Sequence, residues 1–412
     1  MLNTMNIRGL KRRMWIGNIL FLMSFFCLYG GGFLDNYGYM LLMGYIVYMF
    51  LVFPRESSSV FFSHLMFPLY CFLLFFLLSS GFNTKIVLSL FGKLAIIPIA
   101  VLHSNLLHKY PPLISVHKWA IMGIFILISY FCVQALLLLK VNPLAMRELI
   151  STNKDESIIV GGGFGLPYSL SLFLPILLPI IKENGVKSFK SLTLILFTVL
   201  GITVILMSQY MTALLFLLIG YFLVSMTKYS MVKRIMFLIV GFILFFNLYM
   251  FLPDIFDMLG FSDLEMLSRR LDEVTSLASG SMQDASDFSL RIELSLTSLK
   301  TFSENILFGI GHKYNYHFGR MLANGVGMHA EWFDRLAIYG LFSILLFSYL
   351  IKGVSKLHIK ESIATIMFLF LGFFNPVLSF QIIYIVYYLV PISRIIFLKS
   401  DIYENKRRRD FC

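Results

Sequence analysis

GMHAEWFDRLAIYGLFSILLFSYLI, residues 327–351, carries a His, a Glu, an Asp and an Arg within seven positions and then becomes uncharged. The uncharged part, LAIYGLFSILLFSYLI, is long enough to enter a bilayer as a helix. Four titratable side chains at the mouth of such a helix need a reason, and the rest of the chain supplies the setting.

The chain has 412 residues, of which 58% are hydrophobic and 14% charged, with a mean hydropathy of +0.82. A soluble domain carries about a quarter charged residues, so one core cannot hide this much apolar surface. Stretches of about 20 apolar residues recur instead, each able to cross a hydrocarbon layer. The pattern predicts an all-α polytopic integral membrane protein, with about twelve transmembrane helices near 14–33, 37–53, 60–80, 86–102, 119–139, 158–181, 189–207, 210–227, 234–252, 335–351, 362–380 and 382–398. The first follows Lys11, Arg12 and Arg13 and reads as a retained signal anchor. Helices are the form expected in lipid, because each span must satisfy its own backbone.

Lys and Arg set the orientation. With the N-terminus inside, 21 of the 34 basic residues fall in inner segments, including five in the tail that ends KRRR, and 11 fall outside. Of the acids, 16 are outside and six inside. This is the positive-inside pattern, with both termini cytoplasmic. The net charge of +12 therefore reports orientation and contact with anionic lipid, and no nucleic-acid partner is expected. No outer loop holds a cysteine, so no disulfide is expected. Trp15, Trp119 and Trp332 all lie at span ends, as interfacial anchors do.

Two outer loops are long enough for a site, 140–157 and 253–334. In the second, Leu267, Leu271, Val274 and Ala278 share one helical face, and so do Ile292, Leu296 and Leu299. Both segments read as amphipathic helices on the outer surface or capping the bundle. Gly309 and Gly311 then mark a turn. Along a helix starting near 328, Glu331 and Arg335 are spaced to pair, and Asp334 lies beside the face of His329 and Phe333. Charges at a span end also simply mark the water boundary. A His in that place does not anchor as well as Lys, Arg or Trp, which makes His329 the residue to explain.

Residues 289–341, SLRIELSLTSLKTFSENILFGIGHKYNYHFGRMLANGVGMHAEWFDRLAIYGL, resemble the outer loop of bacterial O-antigen polymerases and the related O-antigen ligases. Arg291 matches the helix Arg of that family, Gly309-Ile310-Gly311 its turn, and His329 its His. Asp334, Ala337, Tyr339 and Gly340 match the D-x-x-A-x-Y-G form more typical of the polymerases. The resemblance implies a GT-C-like membrane fold and a metal-independent, inverting glycosyltransferase that needs no cofactor. Its donor would be an oligosaccharide on undecaprenyl pyrophosphate at the outer face of the bacterial cytoplasmic membrane. It would work beside a flippase and a chain-length regulator. His329 and Arg291 would be catalytic, as base and as stabiliser of the leaving diphosphate. Arg320, Lys313, Arg335, Glu331, Asp334 and His317 would touch diphosphate or glycan. One departure stands out. Where family members often read S-R in an outer turn, this chain reads Ser208-Gln209-Tyr210, so Arg320 or Lys313 is expected to supply the second cation.

A ligase acting on the same carrier is the alternative, and a lipid flippase a third class. Transporters place charges in mid-membrane and show internal repeats, whereas this chain collects its charges in one outer loop. Lys93, inside a predicted span, reads either as functional or as snorkelling to the surface. GGGFGLPY, 161–168, lacks nucleotide-loop spacing and points to close helix packing or a broken helix. His312, His317 and His329 fit no compact zinc spacing, and no metal is expected.

Overall fold

The computed structural model describes residues 4–30, 34–79, 82, 84–142, 145–146, 164–184, 189–226, 233, 236, 240, 286–311, 326, 330–357 and 363–397. Most of these residues are helical, and none is in a strand. Among the described residues six helices are long and apolar enough to cross a membrane: Ile7–Gly30, Val87–Lys109, Pro111–Val141, Gly165–Lys182, Glu331–Lys356 and Phe380–Phe397. Shorter apolar helices lie at Phe67–Ser79, Ser191–Met207 and Thr212–Met226. The protein is a membrane-embedded helical bundle.

Contacts sort the helix ends into two groups. At one end the Tyr48 hydroxyl donates to the Arg13 carbonyl, Lys109 pairs with Glu56 at 2.5 Å, and Lys352 reaches the His64 carbonyl. At the other end Tyr29 meets Ser169 and Gln381, and the turn at Gly311 comes up against the Ser79 carbonyl.

Several boundaries differ from the hydropathy reading, for local reasons. The stretch 60–80 is not one helix: 60–61 end the Pro54–Phe61 helix, 62–66 turn, and a second helix runs Phe67–Ser79. Pro54 and Pro68 each sit in a first turn, where the missing N–H costs nothing and the fixed φ favours a start. The stretch 362–380 is helical only to Leu371, and the chain runs non-helically through 372–379 before Phe380 starts the last helix. Pro376 removes a donor and disfavours helix at Asn375. The predicted span at 234–252 and the first amphipathic segment fall outside the described residues.

The Ser286–Glu304 helix is where it was expected, and the face it packs on the bundle is not the apolar stripe. Leu294, Ser298 and Thr301 are buried, while Ile292, Leu296 and Leu299 are exposed. Lipid is as apolar as a core, so an apolar stripe in such a protein need not face inward. Trp332 likewise departs from the anchor reading. It is buried, and its indole N–H donates to the Leu369 carbonyl at 2.7 Å. Gly372 makes room for that ring, since a Cβ there would lie 2.2 Å from it.

Candidate functional site

The Glu331–Tyr339 helix starts from Ala330, whose backbone is extended, and puts Glu331 and Asp334 in its first turn. Acids there suit the positive end of the helix dipole. Both are buried, Glu331 at 4% exposure and Asp334 at 7%. A residue that only marked the water boundary would stand in water, so that reading fails for these two.

Glu331 has a defined task. One carboxylate oxygen accepts from Arg335 Nε at 2.5 Å, one turn along the helix. The other accepts the backbone N–H groups of Val377 at 2.8 Å and Leu378 at 3.1 Å. Those donors belong to the non-helical stretch 372–379. Irregular backbone at membrane depth is tolerated only when its polar groups are satisfied, and Glu331 satisfies two of them. Arg335 also donates through Nη1 to the Tyr339 hydroxyl at 3.2 Å. Tyr339 itself is buried edge-on against Phe72 and Phe76.

Asp334 points to a different partner. Its Oδ1 accepts from Ser298 Oγ at 2.7 Å, which ties the Ser286–Glu304 helix to the mouth of the next one. Arg291 precedes Ser298 by seven residues, so it lies on the same face two turns away, about 10 Å along the axis. Its side chain is half-buried. Among the described residues the guanidinium has no ion pair or hydrogen bond.

A second tie lies beyond the helix end. The amides of Ile310 and Gly311 donate to the carbonyls of Ala337 and Ile338 at 3.0 and 2.9 Å, and Leu341 donates back to Ile306 at 2.8 Å. Gly309, Gly311 and Gly340 all have positive φ, at 65°, 72° and 57°. The Gly-x-Gly turn and the Gly340 bend are therefore halves of one joint, which fixes the angle between the two helices.

The structure thus brings together Arg291, Glu331, Asp334 and Arg335. Lys313, His317, Arg320 and His329 lie outside the described residues. Lys93, half-buried, is within electrostatic reach of Arg335 and Glu331. Among the described residues no group of three or more His, Cys, Asp or Glu is placed to hold a metal.

Sequence reasoning missed Ser298 and the 372–379 stretch. The seven-residue spacing from Arg291 was a signal for the first, and Asn375-Pro376 was one for the second. The Ser208-Gln209-Tyr210 turn has structural neighbours of its own. Gln209 has φ of 53°, the Tyr210 ring lies 5.9 Å from that of Tyr168, and the Tyr168 hydroxyl donates to Asn375 Oδ1 at 2.9 Å. No family model matches this chain, and no curated protein matches it.

Proposed function

We propose that this protein is a membrane glycosyltransferase that joins lipid-diphosphate-linked oligosaccharide repeat units into a surface polysaccharide. The observation that carries the reading is the Ser298–Asp334 hydrogen bond. It holds the helix of Arg291, a cation without a protein partner among the described residues, against the mouth of the helix that His329 precedes. A cation and an imidazole at the membrane surface suit a substrate whose reacting end is a diphosphate and whose tail stays in lipid.

In this reading the acceptor sugar hydroxyl attacks the anomeric carbon of the donor. The bond from that carbon to the diphosphate oxygen breaks, and the diphosphate leaves with the electron pair. His329 takes the hydroxyl proton, a role suited to a base that titrates near neutral pH. Arg291 stabilises the charge gained by the leaving group, as a fixed bidentate donor can. Lys313, His317 and Arg320 contribute from the outer loop. Glu331 acts as scaffold, and Asp334 positions the Arg291 helix. The carrier is undecaprenyl pyrophosphate, and the chain crosses the bacterial cytoplasmic membrane about twelve times in a GT-C-like arrangement, with both termini inside.

The resemblance of Asp334, Ala337, Tyr339 and Gly340 to the polymerase form favours polymerase over ligase. Purified protein, given only lipid-linked repeat unit, is expected to yield a ladder of lipid-linked oligomers. No ladder from active wild-type preparations, with transfer only when a different acceptor is added, would overturn the polymerase reading in favour of the ligase.

A further inference from the structure

Asn375 sits in the non-helical 372–379 stretch and is buried, at 5% exposure. Its Oδ1 accepts from the Tyr168 hydroxyl, and its Nδ2 has no partner among the described residues. Buried polar atoms are nearly always paired, so an orphan of this kind calls for an explanation. Exchanging the amide oxygen and nitrogen does not remove it: the nitrogen would then face Tyr168 and the oxygen would be left over.

The surroundings of the amide are neutral and aromatic. The Tyr168 ring lies against that of Tyr210, and the Tyr210 hydroxyl is held by the Met146 carbonyl at 3.3 Å. Tyr210 and Gln209 are half-buried, whereas Tyr168 and Asn375 are buried. The carboxylate of Glu331 is bonded to the backbone two and three residues beyond Asn375 and is compensated by Arg335. An amide beside two phenol rings, with no cation among these four residues, is poorly suited to a diphosphate. It is well suited to a sugar ring, whose hydroxyl or acetamido groups pair with the amide and whose C–H face packs on an aromatic ring.

We infer that Asn375, Tyr168 and Tyr210 form a subsite for a neutral sugar residue of the repeat unit, adjacent to the Arg291–Asp334 site and distinct from it in chemistry. This inference rests on the glycan-transfer reading above. It gives the Ser208-Gln209-Tyr210 turn a role of its own: where relatives of the resembled family carry an arginine, this chain presents groups that read sugar.

The test uses full-length protein in detergent and two probes. One is the free oligosaccharide released by mild acid from the host's lipid-linked repeat unit, and the other is undecaprenyl pyrophosphate without sugar. Asn375→Ala and Tyr210→Leu are each expected to weaken oligosaccharide binding about tenfold, the loss of one good polar or packing contact. Undecaprenyl pyrophosphate binding should stay as in wild type for both variants, and so should the thermal midpoint of Tyr210→Leu. Tyr210, half-buried, keeps the test usable if Asn375→Ala fails to fold. Oligosaccharide binding unchanged in Tyr210→Leu, or both probes weakened alike, overturns the subsite. Wild-type protein that binds undecaprenyl pyrophosphate through Arg291 but not the oligosaccharide also overturns it, and leaves the transfer reading standing. Wild-type protein that binds neither probe overturns both.

Discussion

Gly309 and Gly340 meet backbone to backbone. A Cβ on Gly340 would lie 2.6 Å from the Gly309 amide nitrogen, and a Cβ on Gly309 would lie 2.3 Å from the Ile338 carbonyl oxygen. Both residues have positive φ, so neither strain nor space permits a side chain. Gly311 shares the left-handed backbone, but among the described residues the nearest atom to a Cβ added there, the Ser79 carbonyl oxygen, is 3.8 Å away. Gly311→Ala should therefore lose only the backbone term, about 1–2 kcal/mol. Gly309→Ala and Gly340→Ala should lose much more and yield little folded protein. Thermal unfolding in detergent decides it, and equal losses at Gly309 and Gly311 would contradict the joint.

Removing the Glu331 carboxylate strands Arg335 and two backbone N–H groups. Glu331→Ala is expected to destabilise by about 3–5 kcal/mol, the range for breaking a buried pair from one side. Arg335→Met in the same background should add less than it does alone, because its partner is already gone. Strict additivity of the two substitutions would show that the pair is not coupled.

Arg291→Ala should abolish polymer at normal protein level. Arg291→Lys should retain little activity, since an ammonium does not reproduce the guanidinium fork. Full-length polymer from the alanine variant would remove Arg291 from the site.

If His329 accepts the acceptor proton, His329→Ala should slow chain growth by about 10²–10⁴-fold while donor binding persists. Only the neutral imidazole can accept a proton. Wild-type activity should therefore fall as pH drops through the ordinary histidine range, about 6.5, and rise to a plateau above it. A variant within a few-fold of wild type, with the same pH profile, would send the search for the base elsewhere.

Orientation is open to cysteine labelling. A cysteine introduced at Ser281 should react with an impermeant reagent on intact cells, and one at Lys187 should react only after permeabilisation. The reverse pattern would invert the topology.

Features set by short-range spacing were legible in the sequence. The pairing of Glu331 with Arg335 follows from an i,i+4 step, and the Gly309–Gly311 turn from glycine's freedom at positive φ. The helix around Arg291 followed from its period, yet which side faces inward did not, because Ile292, Leu296 and Leu299 are as welcome in lipid as in a core. The Ser298–Asp334 bond joins residues 36 apart, and no local pattern announces it. The break at Asn375-Pro376 was visible in the residues but was overridden by hydropathy. Glu331 therefore looked like a site acid before the stretch it supports was known.

The bare stripe of Ile292, Leu296 and Leu299 continues into Ile306, Leu307 and Phe308, which are also exposed. A helix that turns this edge to lipid while Ser298 grips the bundle is held at one depth. If the proposed function holds, carriers arriving by lateral diffusion meet Arg291 at that height, and the encounter is a search in two dimensions. The membrane itself then sets the concentration that matters, and the supply of reactants scales with area of bilayer, not with volume of surrounding fluid.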